Sequence, residues 1–170
     1  MIWPLKQKMT VDYFASELAE AIEENISVYH KAIENHAAEN VSEEQIASLE
    51  PELWALELAV IDLVLALTKF PPLMAEKLVP MLVVGYSPLN SDTYSKRAMQ
   101  YAEAVGGAPA DKVTVVLGKT FVSISGIQFR VERTDVNRHA LEWAIAAVAT
   151  GSLEALAALT ADTLKNFKIY

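Results

Sequence analysis

Between Leu53 and Leu67 the chain reads LWALELAVIDLVLAL, fifteen residues in which only Glu57 and Asp62 interrupt the apolar side chains. At about 1.5 Å per residue such a helix falls short of the roughly 30 Å hydrocarbon layer of a bilayer, where each acid would add about 2.5–3.5 kcal/mol. A helix with no polar face belongs instead at the centre of a globular core. The rest of the chain has to be arranged around it.

The segments on either side carry helical punctuation. Val11, Phe14, Leu18, Ile22, Ile26, Tyr29 and Ile33 recur every three or four positions, which is the period of an amphipathic helix, with Thr10 as N-cap and Glu17, Glu20, Glu24 and Lys31 opposite. His36 falls on the same apolar line. Ser42 and Gln45 make a capping box, with Val41 and Ile46 as its hydrophobic staple, so a second helix begins within a residue of Glu43. Pro51 either kinks that helix or opens a new one at its first turn, and Pro71-Pro72 ends the central run. Pro80 kinks or stops the following helix, and residues 81–86 read as helix or as an extended segment. Asn90 or Ser91 caps a helix over Asp92–Val105, closed by Gly106-Gly107.

After Pro109 the apolar period shortens to two. DKVTVVL and TFVSIS are rich in β-branched residues, Gly118-Lys119 and Ser125-Gly126 read as tight turns, and IQFRVER alternates Ile127, Phe129 and Val131 with polar residues. These are the marks of a three-stranded ribbon whose apolar face must lie on helices. Asp135 then caps a helix running to Gly151, and Ser152 caps a last one, the two forming an Ala-rich antiparallel hairpin. The expected fold is α+β and mostly α-helical: about six helices packed with a three-stranded antiparallel β-meander over residues 112–133, in a single globular domain spanning 1–170.

Composition fits a globular chain, with 52% apolar and 21% charged residues. With no cysteine, disulfides, thiolate nucleophiles and Cys-ligated metals are excluded. The first ten residues lack the apolar run of a signal peptide, so the expected location is cytoplasmic. Charge is unevenly spread: residues 1–70 hold thirteen acids against four bases, a net of −9 within a total of −8, whereas residues 111–134 carry a net of +2. An acidic surface of this kind disfavours nucleic acid and anionic membranes as partners and leaves a protein partner or self-association.

Candidate chemistry is sparse. VVLGKT at 115–120 lacks the Gly that a phosphate loop requires at position 113, where Val stands. Glu23, His30 and Glu34 share a helical stripe able in principle to hold a metal or move a proton, but it lies among the other acids and reads as a solvated rim. Glu-x-x-His, the di-iron signature, is absent: the residues three before His30, His36 and His139 are Ser27, Ile33 and Val136. His36 reads as a partly buried histidine at a helix C-terminus, with no Gly-x-Ser-x-Gly elbow to make it a general base. No metal or cofactor is expected.

Glu57 and Asp62 stand out, because an acid inside an apolar helix must find a cation, take up a proton or serve a site. Lys77, Arg97 and the arginines of the ribbon are the available cations. Two readings follow. The first is a non-enzymatic interaction or assembly protein, open to self-association, with an acidic helical face and with Lys119, Arg130 and Arg133 on the basic ribbon as contact residues. The second is a small-molecule binding protein or enzyme, with a pocket beside the central helix lined by Trp54, Met74, Met81 and Trp143 and addressed by Glu57 or Asp62.

Overall fold

The computed structural model describes residues 6–37, 42–127 and 134–170. In chain order these form β1 (Gln7–Met9), α1 (Val11–Ala37), α2 (Glu43–Ala47), α3 (Glu50–Leu67), α4 (Pro72–Gly85), α5 (Ser91–Val105), a 3₁₀ turn at Ala110–Lys112, α6 (Val113–Ile124), α7 (Thr134–Asn166) and β2 (Phe167–Ile169). The two strands pair in parallel, Gln7 opposite Phe167 and Met9 opposite Ile169, and the Val11 amide donates to the Tyr170 carbonyl. Because β1 leads into α1 and α7 leads into β2, α1 and α7 run antiparallel from this clasp.

Most helix ends obey the local rules. Thr10 Oγ1 accepts the Tyr13 amide, Ser42 and Gln45 form the reciprocal capping box, and Asn90 Oδ1 accepts the Thr93 amide. Pro51 opens α3 at its first turn. Residues 81–85 continue α4 as helix, with Pro80 on its exposed side. Between α3 and α4, Lys69 takes the left-handed conformation (φ 54°) and the Phe70 amide reaches back to the Leu65 carbonyl, a Schellman closure built without glycine. It turns Phe70 onto Phe14 of α1, with ring centroids 5.6 Å apart.

The α3 helix is the centre, as its composition requires: ten of its residues are buried, including Trp54, Leu56, Ile61 and Val64. It touches α1, α5, α6 and α7, and one contiguous core takes side chains from all six long helices.

Two expectations are overturned. The three-stranded antiparallel meander is not present; the described part of the chain is 82% helical, and its only sheet is the parallel β1–β2 pair. Residues 113–124, read as two strands and a turn, are helix α6. Their buried residues Leu117, Gly118, Phe121 and Val122 form a helical stripe, and Gly126, with φ 71°, is the glycine that ends the helix. β-branched residues cost a helix a few tenths of a kcal/mol each, whereas burying Leu117 or Phe121 stabilises it by about 1.5–3 kcal/mol, so packing wins. Gly118 is not a turn residue: a Cβ there would stand 2.5 Å from the Glu142 carbonyl oxygen, so its absence lets α6 and α7 meet backbone to backbone. The third expected strand, residues 127–133, lies outside the described residues except for Ile127.

The second correction concerns the hairpin at Gly151-Ser152. There is none; α7 is one helix of 33 residues. Leu141, Ile145, Ala149, Ser152, Leu156, Thr160 and Thr163 are buried at spacings of three or four straight through Gly151, so one face is covered along the whole length. By length and composition α7 is, among the described residues, the one helix apolar enough to cross a membrane (mean hydropathy 1.6); here it packs along α1, α3 and α6.

Candidate functional site at the central helix

Glu57 has no exposed surface and, among the described residues, no cationic partner. Instead three neutral donors hold it. Tyr29 Oη donates to Oε1 at 2.8 Å, while Ser152 Oγ and Asn25 Nδ2 donate to Oε2 at 2.7 and 3.0 Å. Asn25 also donates to Ser152 Oγ at 2.9 Å. Asn25 and Tyr29 are four residues apart and so share a face of α1, and Ser152 comes from the buried face of α7; one carboxyl therefore ties α1, α3 and α7 together. Desolvation pushes the Glu57 pKa up, and the hydrogen bonds from Ser152, Asn25 and Tyr29 pull against it. Burial, followed by the Glu57 charge, pushes the Tyr29 phenol well above its ordinary value. Both oxygens of Glu57 are engaged and the residue is wholly buried, so this cluster presents no surface to a substrate.

Asp62 is different. It stands at the mouth of a half-open cleft of about 170 Å³ where α3, α5 and α6 converge, walled by Ala59, Leu63, Ala98, Ala102, Val105 and Leu117, with the Tyr101 ring at its side. Its carboxyl is solvent-exposed, yet the apolar walls desolvate it enough to raise its pKa, and it makes no ion pair with the described residues. Tyr94 lies within reach of that charge, its pKa pushed up to about 12 first by desolvation and then by Asp62.

A third polar group lies towards the N-terminus of α3, where Arg97 pairs with Glu52 and also donates to Gln100. Beside them the buried Tyr101 hydroxyl meets no hydrogen-bond partner among the described residues, and burial and then Glu52 push its pKa up against the opposing Arg97.

The expected site residues do not converge. Trp54 is in the core, Met74 packs against it, Met81 lines a separate groove on α4, and Trp143 is 61% exposed on α7. Of the six, only Asp62 lines the cleft beside the central helix. Arg97 serves Glu52 rather than Glu57 or Asp62, and Lys77 stands at the α4 groove. Lys119 is exposed on α6, while Arg130 and Arg133 lie outside the described residues. Glu23 and Glu34 are exposed and His30 is half-buried, so that stripe is a rim; His36, expected to be partly buried, is exposed. Among the described residues no group of His, Asp or Glu is arranged to hold a metal.

Asn25, Ser152, Tyr94 and Tyr101 were not foreseen as site residues. Only the i,i+4 spacing of Asn25 and Tyr29 hinted at a shared polar spot. Comparison with protein-family models, with curated proteins and with solved structures finds no match to this chain.

Proposed function

We propose that this chain is a non-enzymatic assembly protein that associates with a second copy of itself through the outer face of α4. The observation that supports this reading is a helix apolar on both sides. Leu78, Leu82 and Val83 face the core, while Leu73 and Val84 are 70% and 79% exposed on the opposite side. Leu73, Lys77, Pro80 and Val84 follow one another at steps of four, three and four, so they form a single outward line. Tyr86, 42% exposed just past the C-terminal end of this helix, lines the same groove as Val84 and extends it. A surface helix ordinarily turns polar residues to water, and contiguous apolar surface of this kind marks a contact site.

The patch is also self-complementary. Asp12 and Lys77 flank the groove formed with Met81, Val84 and Tyr86, so a twofold arrangement would set each acid against the lysine of the other copy. The acidic first seventy residues disfavour nucleic acid and anionic lipid as alternative partners, and a cytoplasmic location goes with this reading. Sedimentation equilibrium is the test. The wild-type chain is expected to dimerise, and Val84→Glu, which leaves the buried side of α4 untouched, to weaken the dimer on the order of a hundredfold by burying an unpaired charge. A wild-type chain that stays monomeric at every concentration rules the proposal out.

A further inference from the structure

We infer that the cleft between α3, α5 and α6 is a binding site for a small organic ammonium ion, Asp62 pairing with the nitrogen and the hollow holding an apolar body about the size of benzene. The hollow exists because three alanines, Ala59, Ala98 and Ala102, meet where α3 passes α5, and their small side chains leave about 170 Å³ that larger ones would fill. A cavity of about 150 Å³ with apolar walls is known to accept benzene.

The charge at the mouth selects the ligand. Asp62 meets no cation among the described residues, so a ligand that brings one relieves a carboxylate already stripped of part of its water. A neutral molecule would leave that charge uncompensated, and an anion would be repelled. A metal ion would find one carboxylate among hydrocarbon walls, far short of the six or more oxygens that calcium takes. An alkylammonium suits the geometry: it can donate to both Asp62 oxygens and still keep a proton towards solvent at the open side. Tyr94, whose phenol stays protonated at neutral pH, adds a neutral polar group near Asp62. None of the wall residues lies on α4, so this inference and the proposed self-association stand or fall separately.

Benzylamine is the probe, followed by amide NMR shifts in the full chain with benzyl alcohol as the uncharged match. Saturable shifts at Ala59, Asp62, Ala98 and Ala102 are expected, with benzyl alcohol binding about tenfold more weakly, the worth of one charge-assisted hydrogen bond. Asp62→Asn should bring benzylamine down to the level of the alcohol. Ala102→Leu fills the mouth from the exposed side of α5, leaves Asp62 in place, and should abolish the shifts for both ligands. The inference is overturned if benzylamine causes no saturable shift, if Asp62→Asn leaves its affinity unchanged, or if the folded Ala102→Leu chain still binds it.

Discussion

Glu57 and Asp62 are the two acids within the apolar run Leu53–Leu67 of α3, five residues and about 140° apart around its axis. Glu57 points into the bundle and is surrounded by donors that carry no charge: a phenol, an amide and a serine hydroxyl supplied by the two longest helices. Asp62 points to the gap between α5 and α6, where its neighbours are alanine, leucine and valine. The first carboxyl is complete within the fold and the second is not. Burial alone does not mark a functional acid; the useful distinction is whether the surrounding dipoles already satisfy it.

Several substitutions test how far that contrast holds. Glu57→Ala has the largest expected effect, because it strands the Tyr29, Asn25 and Ser152 donors and opens a void; a loss on the order of 3–5 kcal/mol, seen as a melting point lower by about 10 °C or more, is expected. If the melting point barely moved, the three-helix tie would not be holding the bundle. Glu57→Gln should cost less, about 1–2 kcal/mol, since its amide group faces a donor where the carboxylate accepted one.

The size of that second loss should change with pH. The Glu57 pKa is raised in the folded chain, so the folded state holds the proton more tightly than the unfolded one. Its contribution is fully present below the unfolded carboxyl value of 4.5 and is lost as pH rises through the folded value. Chemical denaturation across this window should therefore show the gap between wild type and Glu57→Gln narrowing as pH increases; a gap that widens has the wrong sign. Asp62→Asn should have the smallest effect on stability, within about 0.5 kcal/mol, because the group is solvent-exposed and meets no cation among the described residues. A loss as large as that of Glu57→Gln would show that Asp62 has a structural partner.

Much of the architecture was legible from local chemistry. The caps at Thr10, Ser42 and Asn90, the opening of α3 at Pro51 and the burial of Leu53–Leu67 depend on residues a few positions apart, and the structure follows them. The α6 segment reads as strand because its valines and threonines favour strands slightly, whereas the deciding term is the buried helical stripe of Leu117, Gly118, Phe121 and Val122, with Gly118 set against α7. That stripe is legible in the sequence, as is the one running unbroken through Gly151; glycine reads as a break in both places, yet Gly118 allows close packing and Gly151 simply continues a helix. The site was less accessible. Ser152 reaches Glu57 across 95 residues, and the cleft at Asp62 depends on which alanines α3 and α5 bring together. Neither distance nor crossing geometry is encoded in local spacing.

The contrast between the two acids can be read directly by carbon NMR of their carboxyl groups, following Glu57 Cδ and Asp62 Cγ through a pH titration and then through addition of benzylamine at neutral pH. Glu57 should titrate above the ordinary carboxyl range and stay fixed when the amine is added, while Asp62 shifts with the amine until the site is full. A Glu57 signal that titrates like a free carboxyl or follows the amine, or an Asp62 signal indifferent to it, would contradict the division between a carboxyl satisfied by the fold and one left for a ligand.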